Sequence, residues 1–109
     1  MTGTIGVPDD TGIPQSVRVG AFEYTIRIED DLKDGSQKLD GWIQHSQTLI
    51  LLDRSLSAQV MRVTLWHEVL HGIMVQAGHD DVLKDPEIEA LAHGIVGVLR
   101  DNPWLGALP

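Results

Sequence analysis

The pattern of apolar residues predicts an α+β domain, a small antiparallel sheet followed by two helices that pack beside it. Three observations carry this. Apolar and polar residues alternate over residues 22–29, a β-favouring run occupies residues 48–52, and from Ser57 onward the apolar spacing switches to three and four. At 109 residues the chain has room for one core. Its 42% hydrophobic and 22% charged residues give the balance of a folded globular protein.

Residues 1–15, "MTGTIGVPDDTGIPQ", have no hydrophobic period and read as a mobile lead-in, which leaves residues 16–109 as a single domain. In "VRVGAFEYTIRIED", Phe22, Tyr24, Ile26 and Ile28 fall on one face of a half-buried strand, with Glu23, Thr25, Arg27 and Glu29 on the other. "DLKDGSQ" supplies a turn. "LDGWIQHSQTLILLD" predicts two short strands folded around His45, Ser46 and Gln47, the second running Thr48 to Leu52 and offering an exposed edge for a peptide to pair with. A helix of about 21 residues follows, with Asp53, Ser55 or Ser57 as its N-cap and Gly78 just past its end. The second helix begins with Pro86 in its first turn, keeps Ile88, Leu91, Ala92, Ile95 and Leu99 on one face, and stops near Asn102-Pro103. Trp42 and Trp66 are expected in the core, and Trp104 and Leu105 are expected to tuck against the body.

Charge and composition narrow the function. A formal charge of -8 with only 8 Lys+Arg leaves no basic stripe for phosphates, which argues against direct binding to nucleic acid or to an anionic membrane and in favour of protein or peptide partners. No basic start with a long apolar stretch marks a secretory signal, and no run approaches the roughly 18 apolar residues of a membrane span, so a cytoplasmic location is the expectation. Without cysteine, any metal must be held by imidazoles and carboxylates.

The first helix carries "WHEVLH". His67 and His71, four apart, lie one above the other on a helix with Cβ atoms about 5–6 Å apart, so both imidazoles can reach one ion at about 2.0–2.1 Å. Glu68 projects about 100° around the helix from His67, where a carboxylate can hold a metal-bound water and act as general base. With 5 His and 5 Glu in the chain, a shuffled sequence shows H-E-x-x-H with a probability of roughly one in a hundred. A catalytic zinc usually keeps three protein ligands and an open position. The three-histidine pattern fails, because Met74 and Ala77 stand where its Gly and His belong. The third ligand is therefore sought in Glu87 and Glu89 at the start of the second helix, or in His79. Tyr24, His45, His79 and His93 are the candidates for stabilising an oxyanion.

The strand, "GWIQ" hairpin, "TLILLD", "TLWHEVLH" and "EIEALAHGIV" together resemble the small zinc peptidases of the ImmA/IrrE family, a gluzincin-type group frequent in phages and mobile elements, over about residues 20 to 100. The resemblance implies a minimal zincin-like fold holding one Zn2+ between His67, His71 and Glu89, the glutamate preceding Ala90. It implies Glu68 as the catalytic base of an endopeptidase, and a cytoplasmic protein target such as a repressor. His93, four after Glu89, shares its helix face and is placed to contact it. The contrasting expectation is a zinc-containing interaction module without catalysis.

Overall fold

The alternating segment does not run as one strand. Gly20 adopts φ 57°, a backbone conformation that L side chains rarely take, and turns the chain between β1 (Ser16–Val19) and β2 (Phe22–Glu29), which pair antiparallel. The structure, a computed structural model, describes residues 12–108. Most of the anticipated lead-in, residues 1–11, lies outside the described residues; within its described part Ile13 is buried in the core, and the Gln15 carbonyl accepts the Ile26 N–H at 2.9 Å.

After β2 comes a small hairpin, β3 (Lys33–Asp34) and β4 (Gln37–Lys38), which turns at Gly35. Then β5 (Gly41–Gln44) leads through a 3-10 turn at His45–Gln47 into β6 (Leu49–Asp53). The strand order is β1-β2-β6-β5, with β6 parallel to β2 and antiparallel to β5. The sheet is thus mixed rather than wholly antiparallel, because β6 inserts between β2 and the returning β5. This also moves the expected free edge. The run 48–52 is not an edge, since β6 is flanked on both sides, and the edge beside it is β5. Four consecutive apolar residues, Leu49 to Leu52, are what a strand covered on both faces requires.

One face of the sheet carries the core: Tyr24, Ile26, Ile43, Ile50 and Leu52 pack with Val19, Ile13 and the α1 residues Met61 and Val69. Trp42 lies opposite Leu51 in the β5–β6 register and is only half-buried, so it shields the reverse face instead of filling this core; Trp66 packs half-buried at the core's margin. Phe22, at the start of β2, is exposed.

Helix α1 (Ala58–Gln76) starts at Ser57, whose hydroxyl accepts the Val60 N–H at 3.2 Å. It ends in a Schellman arrangement: Gly78, at φ 77°, donates to the Val75 carbonyl at 3.0 Å, and His79 donates to the Met74 carbonyl at 2.8 Å. Its last turn is tied to the β1–β2 turn, where the Gln76 side chain accepts the Ala21 N–H at 2.9 Å and donates to the Val19 carbonyl. Gly72 brings the helix close to the sheet, since a Cβ there would stand 3.2 Å from Ile43 Cδ1. Helix α2 (Asp85–Asp101) returns against α1 and seals it with Ile88 and Ala92, both fully buried. Glu87 serves the helix start, accepting the Lys84 N–H at 3.0 Å. Beyond α2 a 3-10 turn, Pro103–Ala107, sets Gly106 against Leu99 and leaves Trp104 60% and Leu105 39% exposed, so the anticipated tucking of these two does not occur. Among the described residues no helix is long and apolar enough to cross a membrane.

Candidate metal centre

The hairpin of α1 and α2 sets the middle of one helix against the first turns of the other. His67 and His71, one turn apart on α1, bring their Nε2 atoms to 3.2 Å of each other. Into this pair comes Asp85, the first residue of α2, with Oδ1 2.9 Å from His71 Nε2 and 3.5 Å from His67 Nε2. The three ligand atoms form a triangle with sides of 3.2, 2.9 and 3.5 Å. Two ligands bound about 2.05 Å from a tetrahedral ion stand about 3.3 Å apart, so this triangle has the size of one face of such a site. The donor set, two imidazole nitrogens and a carboxylate oxygen, is also one that zinc accepts.

Glu89 takes a different place from the one expected for a third ligand. Its Oε1 sits 2.7 Å from His67 Nδ1, the ring nitrogen that faces away from the triangle, and its Oε2 is 3.2 Å from His93 Nε2. A carboxylate on Nδ1 holds the proton there and leaves the Nε2 lone pair for a cation. Asp85, which the sequence reading did not consider, is the residue that closes the triangle. A signal for it existed, because Asp85, Glu89 and His93 recur every four residues and so form one polar stripe along α2. Glu87 is occupied in the helix cap, and His79 is an exposed residue at the end of α1.

Glu68 points to the sheet side of the same helix turn and is 7% exposed. Burial pushes its carboxyl up to about 7, with the neighbouring Asp85 and Glu89 adding to the rise while His67 and a hydrogen bond from the Ile43 backbone oppose it. Gly41 makes room for this side chain, since a Cβ on Gly41 would stand 3.0 Å from Glu68 Oε2 and 2.7 Å from Thr64 Cγ2. The remaining candidates divide. Tyr24 is buried at 1% exposure beneath α1, and His45 meets it edge to face with ring centroids 6.5 Å apart. Burial, and then His71, keep the His45 imidazole below its usual value, and its buried Nδ1 has no hydrogen-bond partner among the described residues. His93 is exposed and faces a cleft of about 690 Å³ whose other walls include His67, Glu68 and Glu89.

No family model, curated protein or solved structure matches this chain.

Proposed function

We propose that the chain is a zinc-dependent hydrolase that cleaves peptide bonds, with His67, His71 and Asp85 holding one Zn2+ and Glu68 as general base. The triangle of two imidazole nitrogens and one carboxylate oxygen, with a buried glutamate at its flank, is the observation that carries this reading. A divalent ion bound there would polarise a carbonyl and lower the pKa of a coordinated water towards about 7. Glu68 takes the proton of the attacking water and delivers it to the leaving amine; its raised affinity for a proton suits a group that must both accept and release one near neutral pH. Glu89 orients His67 through Nδ1, and His93 braces Glu89. Asp40 and Gly41, at the start of the edge strand β5, line the same cleft, so an extended peptide can pair along β5 with its carbonyl over Glu68. The H-E-x-x-H helix supports placing the protein beside the ImmA/IrrE peptidases, with Asp85 rather than Glu89 as the third ligand and a repressor-like protein as substrate.

The deciding experiment measures bound zinc and peptide hydrolysis in the parent, Asp85→Ala, Glu89→Ala and Glu68→Gln proteins. Asp85→Ala should lose zinc at micromolar concentration, whereas Glu89→Ala should keep it with affinity lowered about 10- to 100-fold. Glu68→Gln should retain zinc and lose turnover. Loss of zinc on Glu89→Ala with retention on Asp85→Ala would exchange the two roles. Zinc bound without turnover of any peptide would leave a non-catalytic metal module.

A further inference from the structure

The hydrogen bonds of β6 decide which main-chain groups of β5 remain for a partner. On one side of β6 the Thr48 carbonyl accepts the Thr25 N–H at 3.0 Å and the Arg54 N–H reaches the Glu29 carbonyl at 2.9 Å, so residues 48, 50, 52 and 54 bond towards β2. On the other side the Asp53 N–H bonds to the Asp40 carbonyl at 2.8 Å. With Trp42 opposite Leu51 and Gln44 opposite Leu49, residues 40, 42 and 44 are the ones that bond to β6. The alternation therefore turns the N–H and C=O of Gly41 and Ile43 outward, to the edge of the sheet. These are the groups an added strand would use.

This edge is already in use. Gly41 meets Glu68 along it, since a Cβ on Gly41 would stand 3.0 Å from Oε2 and 3.3 Å from Cγ, and the Ile43 backbone donates a hydrogen bond to the same carboxyl. The Ile43 side chain takes no part, because it turns to the core face against Gly72. Glu68 is 7% exposed, and a buried carboxyl needs a donor, so the Ile43 N–H is what lets the side chain rest against the strand. A backbone N–H carries one proton, and a peptide carbonyl arriving at Ile43 needs that same proton.

We propose that the Ile43 N–H is a substrate-anchoring donor which Glu68 occupies while no peptide is bound, so that a peptide carbonyl and the Glu68 side chain exchange places on it; the inference rests on the hydrolase reading above. Pairing of the peptide then has two effects in one movement. It fixes the substrate backbone on β5, and it releases Glu68 from the strand for the proton it is to take. The partner is the main chain of an extended polypeptide, held through its carbonyls rather than through a particular side chain. Gly41, two residues earlier and about 7 Å away, presents the next outward N–H and C=O, so about three residues of substrate span both.

The test compares Glu68→Ala with Glu68→Gln. Both are uncharged, and only glutamine can accept the Ile43 N–H. Amide hydrogen exchange is followed by NMR in protein with zinc added, alone and with a fluorescein-labelled octapeptide of alternating valine and threonine whose affinity is read by anisotropy. Without peptide, Ile43 should exchange about fivefold or more faster in Glu68→Ala than in Glu68→Gln, with Trp42 and Gln44, which bond to β6, unchanged. The peptide should bind about three- to tenfold more tightly to Glu68→Ala, shift the Gly41 and Ile43 amide signals, and erase the difference in exchange. Equal exchange at Ile43 in the two variants, equal peptide affinity, unmoved Gly41 and Ile43 signals or no binding overturns the proposal. Competition at Ile43 by peptides that the parent protein never cleaves would keep the anchor and remove the hydrolase reading.

Discussion

Glu68→Gln, measured in metal-free protein, tests the physical state of the proposed base independently of catalysis. The substitution keeps the volume and retains an acceptor for the Ile43 N–H while removing the ionisable proton. In the unfolded chain Glu68 titrates near 4.5 and in the folded chain near 7. Between those values the folded protein holds a proton that the unfolded chain has released, so the contribution of Glu68 to stability falls as pH rises through the window and is level on either side. A difference of about 2.5 units corresponds to about 3 kcal/mol at full effect, and residual solvent contact reduces it to about 1–3 kcal/mol. Urea unfolding with chelator present, at pH 5 and pH 8, reads this directly. The stability of Glu68→Gln relative to the parent should rise by about 1–3 kcal/mol from the lower to the higher pH. For a domain of this size that is a gain in relative Tm of about 4–20 °C. An unchanged difference between the two pH values would show that Glu68 is not held in a desolvated site and would refute the argument.

Three other substitutions probe the frame around the site. Gly41→Ala puts a Cβ 2.7 Å from Thr64 Cγ2 and 3.0 Å from Glu68 Oε2, so it should cost about 1–3 kcal/mol in urea unfolding and weaken zinc binding as α1 is pushed from β5. Asp53 is buried and receives Lys38 Nζ and the Leu32 N–H at 2.8 and 2.7 Å together with the Ser55 hydroxyl. Burial raises its carboxyl, but these donors outweigh that and hold it well below its usual 3.8, so its contribution is present above that pH and is lost as pH falls through the folded value. Asp53→Asn should cost about 2–3 kcal/mol at pH 7, and its gap from the parent should narrow below about pH 4 in acid unfolding. Gln76→Ala removes both ties between α1 and the β1–β2 turn, and should lower stability by about 1–2 kcal/mol and raise hydrogen exchange at Ala21.

Much of the fold was readable because local rules and burial agreed. The period change at Ser57, the Ser57 cap and the Gly78 terminator all describe contacts within a few residues, and α1 follows them. The parallel pairing of β2 with β6 was not readable, since it joins residues more than twenty positions apart and nothing in either strand encodes its neighbour. Even so, the unbroken apolar run Leu49 to Leu52 was a hint of a central strand that the expectation of an edge passed over. Trp104 lies exposed in the 3-10 turn that follows α2, a placement that composition does not reveal.

At the site, spacing within α1 placed His67, Glu68 and His71 correctly on one helix, but the partner from α2 depended on the offset between two helices. A shift of one turn, about 5.4 Å, decides whether Asp85 or Glu89 meets the Nε2 atoms. In this structure Asp85 stands at that level and Glu89 lies one turn further on, against His67 Nδ1. The two carboxylates thus have unequal chemical roles. The one on Nδ1 fixes the tautomer of His67, and the one beside both Nε2 atoms supplies negative charge where a cation would reside. Protons and a cation compete for the same lone pairs, so zinc uptake should release protons and zinc affinity should fall steadily as the medium is acidified. Isothermal titration of zinc in two buffers of different ionisation enthalpy measures that release. At pH 5, where an imidazole of ordinary pKa is largely protonated, an identical heat in both buffers would mean that no proton leaves and that the imidazoles are not where the ion binds.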